Sequence, residues 1–189
     1  MDSTRFELIN LREIDPTILI DAAYARADTF VGFTVYPVNE LFLMKPAAER
    51  LARAQRRLQA LGLGLKCWDA YRPLSLQKIL WKHVLDERYI ANPATGSRHN
   101  RGCAVDVTLV DREGHELPMP TPYLEFSERA HRDWHSLPPG TARNRQTLED
   151  AMVAEGFIPL PEEWWHFDAP EWERYPVLDI NPYGKDYRI

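Results

Sequence analysis

The residues best suited to chemistry begin with a histidine and an aspartate seven positions apart, His99 and Asp106, with Gly102 between them. Alternating apolar residues predict that Asp106 lies on the polar face of a strand and that His99 belongs to the preceding loop. Gly102 permits a turn, so the imidazole and the carboxylate can converge on one cation. A catalytic zinc site uses three such ligands and leaves one position for water. Taken alone, this pair is more typical of an ordinary hydrogen bond.

A third candidate ligand lies in an aromatic stretch near the C-terminus, where Glu163 stands three residues before His166. A carboxylate within hydrogen-bond reach of a metal-bound water suits the role of general base. On a regular strand these two side chains would point to opposite faces, so we predict a bulge or a turn at Trp164. The alternative is that Trp164 and Trp165 are core residues and Glu163 is a solvated charge.

An arginine at the predicted junction of a strand and a helix is the next candidate. The guanidinium of Arg72 stays protonated and presents a fork of donors, which suits an oxyanion or a carboxylate. An ordinary salt bridge with Asp69 is the alternative. The remaining histidines lack a comparable setting; they are His83, His115, His131 and His135.

Six elements must position these residues. They are a helix over 45–61, a strand over 63–70, a helix over 73–89, a strand over 103–110, a helix over 142–155 and a strand over 164–168. Helices and strands mix without a regular βαβ alternation, which predicts an α+β fold: a small mixed or antiparallel sheet flanked by helices, with the zinc site on the sheet. We expect residues 1–189 to form a single domain, because no linker or repeat divides them.

Composition limits the possible partners. The net charge is -5, and the most basic cluster, Arg53 with Arg56 and Arg57, fits a solvated helix face better than a nucleic-acid site. Cys67 and Cys103 are expected to be small buried residues. No stretch approaches the ~18 apolar residues of a membrane span, and no export signal is visible. We therefore expect a cytoplasmic protein with neither nucleic acid nor membrane as partner; the oligomeric state stays open.

Together these segments resemble the D-alanyl-D-alanine dipeptidases, the VanX-like zinc peptidases. The family pattern S-x-H-x-x-G-x-A-x-D is matched by residues 97–106, E-x-W-H by residues 163–166, and W-D-x-Y-R-P by residues 68–73. The segment 24–37 is also similar to the N-terminal region of the family. The resemblance runs from about residue 20 to 168, with the motifs in the family's order. It implies that residues 1–189 form a single zinc peptidase domain with its core at about 20–170.

The resemblance implies a function and a set of roles. One zinc ion per chain would be bound by His99, Asp106 and His166. The zinc-bound water would attack the peptide carbonyl of D-Ala-D-Ala, with Glu163 as general base and acid and Arg72 stabilising the oxyanion. The family's small cavity limits its substrates to dipeptides, so the expected partner is a D,D-dipeptide that is hydrolysed to two D-alanines.

Substrate-binding roles also follow from the resemblance. Ser97 and Tyr24 would help to hold the substrate's amino group, together with an acidic residue after the metal-binding strand. The family usually has a Phe-Asp pair there, whereas this chain has Leu124-Glu125. Glu125 is the candidate for the acidic role, and altered recognition of the amino group is the alternative.

Two other functions stay open. The first is a D,D-carboxypeptidase or another small-peptide metallopeptidase on the same scaffold, which the missing export signal disfavours. The second is a non-catalytic zinc-binding module, as in the related domain of Hedgehog signalling proteins. Glu163 and Arg72 disfavour that alternative, because a structural zinc site needs neither.

Overall fold

The computed structural model describes residues 6–84 and 87–185, which form two sheets and four α-helices. The strands are β1 (Leu8–Asn10), β2 (Leu19–Ile20), β3 (Phe42–Met44), β4 (Gly64–Asp69), β5 (Ala104–Val110), β6 (Ile158–Pro159) and β7 (His166–Asp168). The helices are α1 (Leu11–Ile14), α2 (Lys45–Ala60), α3 (Leu74–Trp81) and α4 (Pro139–Ala154). In this part of the chain, every helix falls short of the length and apolar character of a membrane span.

The larger sheet has five strands in the order β2-β4-β5-β7-β6. Its β2–β4 pair is parallel and its other pairs are antiparallel, so the sheet is mixed. The smaller sheet is the antiparallel β1–β3 ribbon. Helices α2 and α4 contact each other, and they also contact β4 and β5, respectively. The predicted α+β fold with a small mixed sheet and flanking helices is confirmed.

Strand β5 lies at the centre of the larger sheet and is buried at every position. Burial includes its polar residues Asp106 and Thr108, so the polar face predicted for this strand does not contact solvent. The five largest fully buried side chains are all aromatic: Trp164, Trp165, Tyr24, Tyr36 and Tyr71. Both cysteines are buried free thiols, as expected.

The long helices agree with their predicted positions. Helix α2 has a proline in its first turn, buries Leu51 and Leu58, and ends just before Gly62, whose φ of +75° is a left-handed conformation that favours glycine. Helix α4 starts at Pro139, about one turn earlier than predicted, again with proline in the first turn. Arg53 and Arg57 of α2 form ion pairs with Glu155 just after α4.

The predicted helix over 73–89 is wrong in its second half. Helix α3 ends at Trp81, and 87–89 form a turn, while residues 85 and 86 lie outside the described part of the chain. The Nδ1 atom of His83 lies 2.9 Å from the carbonyl oxygen of Ile79. That carbonyl would accept the His83 amide in a continuing helix. The amide instead donates to Leu80 at 3.0 Å, which tightens and ends the helix.

Candidate metal centre and substrate cavity

Three polar residues form a row across the centre of the larger sheet. Asp106 of β5 pairs with His166 of β7 on one side and with Asp69 of β4 on the other. Directly opposed residues of antiparallel strands share one face, so these side chains project together. A register shift between Cys67 and Asp69 places Asp69, rather than Trp68, opposite Asp106. The bulge therefore adds a second buried carboxylate to the row.

His99 approaches the row from a 3-10 turn, His99–Arg101, that precedes β5. The turn ends at Gly102, whose φ is +65°, and a Cβ there would lie 3.2 Å from the backbone nitrogen of Met44. The Nδ1 atom of His99 lies 2.7 Å from the carbonyl oxygen of Ala70. A carbonyl only accepts, so Nδ1 carries the hydrogen and Nε2 presents a lone pair to the row.

Three donor atoms meet at one point. The Nε2 atom of His99 lies 3.2 Å from Nδ1 of His166 and 3.4 Å from Oδ1 of Asp106. The Nδ1 atom of His166 lies 3.0 Å from the same Oδ1. Ligands at zinc distances around a tetrahedral ion lie ~3.4 Å apart. The three side chains are buried, and their spacing and chemistry fit a metal ion.

Neighbouring groups fix two of these donors in place. The Nε2 atom of His166 lies 2.9 Å from Oδ1 of Asp168, so Nε2 donates its hydrogen to this carboxylate and Nδ1 is the ring nitrogen that can bind a metal. The hydroxyl of Tyr123 donates to Oδ2 of Asp106 at 2.7 Å, which leaves Oδ1 for the metal. Without a metal, burial lowers the pKa of His166, but Asp168 and Asp106 outweigh it and hold that pKa well above its ordinary value, so a metal that binds Nδ1 displaces a proton from it.

Glu163 lies beside the donor atoms, at the predicted turn. Residues 164–165 form the turn and β7 begins only at His166, so Glu163 and His166 reach one site. The Oε2 atom of Glu163 is 3.8 Å from Nδ1 of His166 and accepts from the indole nitrogen of Trp165 at 3.1 Å. Burial raises the pKa of Glu163 to about 8, although His166 opposes the shift. This carboxyl group can exchange a proton near neutral pH.

Arg72 is buried and firmly held. Its Nε and Nη2 atoms donate to Oδ2 of Asp69, the former at 3.1 Å, and its Nη1 donates to Oε1 of Gln77 at 2.6 Å. Asp69 also accepts from the hydroxyl of Tyr36. The guanidinium lies 5.2 Å from the ring centre of Tyr24. The salt bridge with Asp69 is therefore present, and it fixes a cation in the cavity wall.

A cavity of about 320 Å³ contains seven of the eight predicted site residues. This volume is near the lower end for small-molecule sites. The hydroxyl of Tyr24 is buried there and has no hydrogen-bond partner among the described residues. Ser97 also lines the cavity, and its Oγ accepts from the backbone nitrogen of His99 at 3.1 Å.

Glu125 is the predicted residue that the structure does not bring to the cavity. Leu124 and Phe126 line the wall, whereas the Glu125 carboxylate accepts from Ser127 at 3.1 Å and pairs with Arg129 at 3.7 Å. Leu124 has a φ of 64°, a left-handed conformation that is uncommon for this residue. As a result of this local turn, the side chain of Leu124 lines the cavity and that of Glu125 does not.

Sequence reasoning missed several members of the site. Asp168 carried a usable signal, since it stands two residues after His166 and so shares its face of the strand. Tyr123 and Glu87 carried none, because loops bring them to the metal donors and to the cavity wall, respectively. Glu87 lines the cavity in a segment that we predicted to be helical.

Comparison with known proteins agrees with this geometry. A family model described as D-ala-D-ala dipeptidase matches residues 4–180. The chain belongs to this family. It is a metallopeptidase, and the clustered His99, Asp106 and His166 are its candidate metal donors.

Three relatives of this dipeptidase carry the name D-alanyl-D-alanine dipeptidase. The protein of Escherichia coli K12 is 39% identical, over 91% of this chain and 89% of that protein. The Enterococcus faecalis V583 protein is 33% identical over 85% and 90% of the two chains, and the Streptomyces coelicolor protein 32% identical over 80% and 85%. Among solved structures, a vancomycin resistance D,D-pentapeptidase VanY has a TM-score of 0.46 and 17% identity, covering 82% of this chain and 88% of that one.

Proposed function

We propose that this dipeptidase depends on zinc and hydrolyses D-Ala-D-Ala to two molecules of D-alanine. Its named relatives support the substrate. The observation that carries the mechanism is the meeting of His99, Asp106 and His166 in one small cavity with a buried glutamate and a buried arginine. A structural metal site would need neither of these two residues.

Two imidazoles and one carboxylate are a donor set that suits zinc. His99 and His166 would hold the ion through Nε2 and Nδ1, because their other ring nitrogens donate to Ala70 and Asp168. Asp106 would use Oδ1, because Oδ2 accepts from a tyrosine. When bound, zinc supplies Lewis acidity that acidifies water and polarises the peptide carbonyl.

Glu163 moves the protons of the reaction. Its Oε2 atom accepts from an indole nitrogen, so we assign the transferred proton to Oε1. Oε1 takes a proton from the attacking water as the water oxygen bonds to the carbonyl carbon. It then gives the proton to the amine nitrogen as the C–N bond breaks. Burial raises the pKa of Glu163 to about 8, which brings both protonation states within reach near neutral pH.

Arg72 stabilises the negative charge that develops on the carbonyl oxygen. Asp69 and Gln77 hold the guanidinium in place before substrate enters, so little reorganisation accompanies the reaction. On the substrate side, the buried hydroxyl of Tyr24 is free to bond to the dipeptide. Ser97 lines the same cavity and can donate its hydroxyl hydrogen, because its oxygen already accepts from the backbone of the His99 turn.

The Glu163→Gln variant tests this assignment. It keeps the size of the side chain but cannot take the proton, so we expect wild-type zinc content and turnover of D-Ala-D-Ala lowered by at least about 10³-fold. The matched control is Glu162→Gln, which makes the same change at a neighbouring, half-buried residue. Metal analysis and D-alanine release are measured on both. Wild-type turnover by Glu163→Gln would remove Glu163 from the mechanism.

A further inference from the structure

Arg98 lies in the cavity wall next to the metal donors, and no role in the proposed reaction involves it. Its guanidinium carbon is 4.7 Å from the ring centre of Trp172, which also lines the cavity. Its Nε atom is 3.5 Å from Oδ2 of Asp168, the residue that holds His166. The aromatic ring and the carboxylate together fix the position of the guanidinium.

The outer edge of this guanidinium is free to bind a ligand. The side chain of Arg98 is 44% exposed, and Asp168, approached by Nε, is its one carboxylate partner among residues 6–84 and 87–185. The two terminal nitrogens thus present a fork of donors, the geometry that matches a carboxylate. Arg101, which also lies near the Trp172 ring, differs because its Nη1 donates to the carbonyl oxygen of Tyr175.

The carboxylates that hold Arg72 and Arg98 belong to two different strands of the larger sheet. Arg72 is bonded to Asp69 of β4, and Arg98 is paired with Asp168 of β7. Strands β4 and β7 flank β5, so they are two strand spacings apart, about 10 Å. The metal donors include Asp106 of β5, which is one strand spacing, about 5 Å, from β7. In a dipeptide the scissile carbonyl carbon and the carboxylate carbon are one residue apart, about 3.8 Å. A substrate with its scissile carbonyl at the metal donors and Arg72 can therefore direct its carboxylate to Arg98, beside β7.

We propose that Arg98, stacked on Trp172, binds the C-terminal carboxylate of the substrate. The subsite rests on the proposed function, because it orients the dipeptide across the metal donors. It selects peptides that end in a free α-carboxylate one residue after the scissile bond, and it disfavours peptides whose C-terminus is an amide.

Binding of D-Ala-D-Ala is compared with binding of D-Ala-D-alaninamide, using zinc-loaded Glu163→Gln protein so that neither ligand is cleaved. Calorimetry is expected to give about 10- to 100-fold tighter binding of the acid than of the amide. When Arg98→Gln is introduced into the Glu163→Gln protein, the ratio of acid to amide affinity should fall to about threefold or less, and the affinity for the amide should not change. Arg98→Lys, which keeps the charge but not the fork, should give an intermediate ratio. The control is Arg143→Gln, which removes the same charge from an exposed position of α4.

Unchanged amide binding and zinc content in Arg98→Gln would show that the loss is confined to the carboxylate contact and that the support of His166 by Asp168 is intact. An acid-to-amide ratio that Arg98→Gln leaves at the wild-type value would overturn this proposal alone. Tight, Arg98-dependent binding of the acid without turnover by wild-type protein would support the subsite and overturn the proposed activity. If neither ligand binds, both proposals fail.

Discussion

Replacing Tyr123 by phenylalanine removes one hydrogen bond next to the metal donors and little else. The hydroxyl donates to Oδ2 of Asp106 at 2.7 Å. The ring stacks on Trp68 with centroids 4.5 Å apart and an interplanar angle of 14°. Phenylalanine keeps that stacking, so the effect of the substitution reports on the hydroxyl.

Two effects of Tyr123→Phe can be estimated. A hydrogen bond to a charged group contributes about 1.5–3 kcal/mol, so the metal-free protein should lose roughly that much unfolding free energy, because the buried carboxylate loses a donor. Asp106 would also be free to rotate or to offer both oxygens. Loss of such an outer contact weakens metal affinity by about 10- to 100-fold, and we expect zinc affinity to fall within that range.

Competition against a chromophoric chelator measures the zinc affinity, and chemical denaturation of the metal-free protein measures the stability. The control is Tyr175→Phe, which removes a hydroxyl at a half-buried position away from the donor atoms. A zinc affinity of Tyr123→Phe within about twofold of the wild type would refute the argument that this hydroxyl positions Asp106.

Four further predictions concern the same features. Arg72→Lys should keep zinc content and lower kcat by about 10²-fold, measured by D-alanine release, because lysine lacks the fork of donors that Asp69 and Gln77 hold in place. Asp168→Asn should weaken zinc binding about 10- to 100-fold in the chelator competition, and an unchanged zinc affinity would show that Asp168 does not position His166 for the metal. Removing zinc should lower the melting temperature in calorimetry, because the ion binds only the folded state. Burial raises the pKa of Glu155, but hydrogen bonds from Arg57 and Arg53 outweigh it and hold that pKa below its ordinary 4.5. Glu155→Gln should therefore lower the free energy of unfolding by roughly 1 kcal/mol in chemical denaturation at neutral pH. The stability difference between variant and wild type should disappear as the pH falls below about 4.5, where Glu155 becomes protonated.

The local parts of the site could be predicted from the sequence. His99 and Asp106 are connected by a short turn, so their residue types and spacing suffice to bring them together. The turn at Trp164 followed from the requirement that Glu163 and His166 reach one point, and the structure has that turn. The α+β fold followed from the mixture of helical and strand periodicities.

The parts that depend on long-range register or loop conformation could not be predicted. The bulge in β4 decides that Asp69 lies opposite Asp106, and a regular ladder without the bulge would put Trp68 in that place. The left-handed conformation of Leu124 leaves Glu125 outside the cavity. The periodicity of apolar residues predicts neither feature, because each is a departure of a single residue from regular structure.

The measurement that tests the central claim most directly is release of free D-alanine from D-Ala-D-Ala by the purified protein, with and without chelator. L-Ala-L-Ala and a pentapeptide ending in D-Ala-D-Ala are assayed in parallel. A zinc-dependent D,D-dipeptidase should cleave D-Ala-D-Ala alone, lose that activity with chelator and regain it when zinc is restored. Cleavage of the pentapeptide would indicate a carboxypeptidase instead, and failure of zinc-loaded protein to cleave D-Ala-D-Ala would contradict the account.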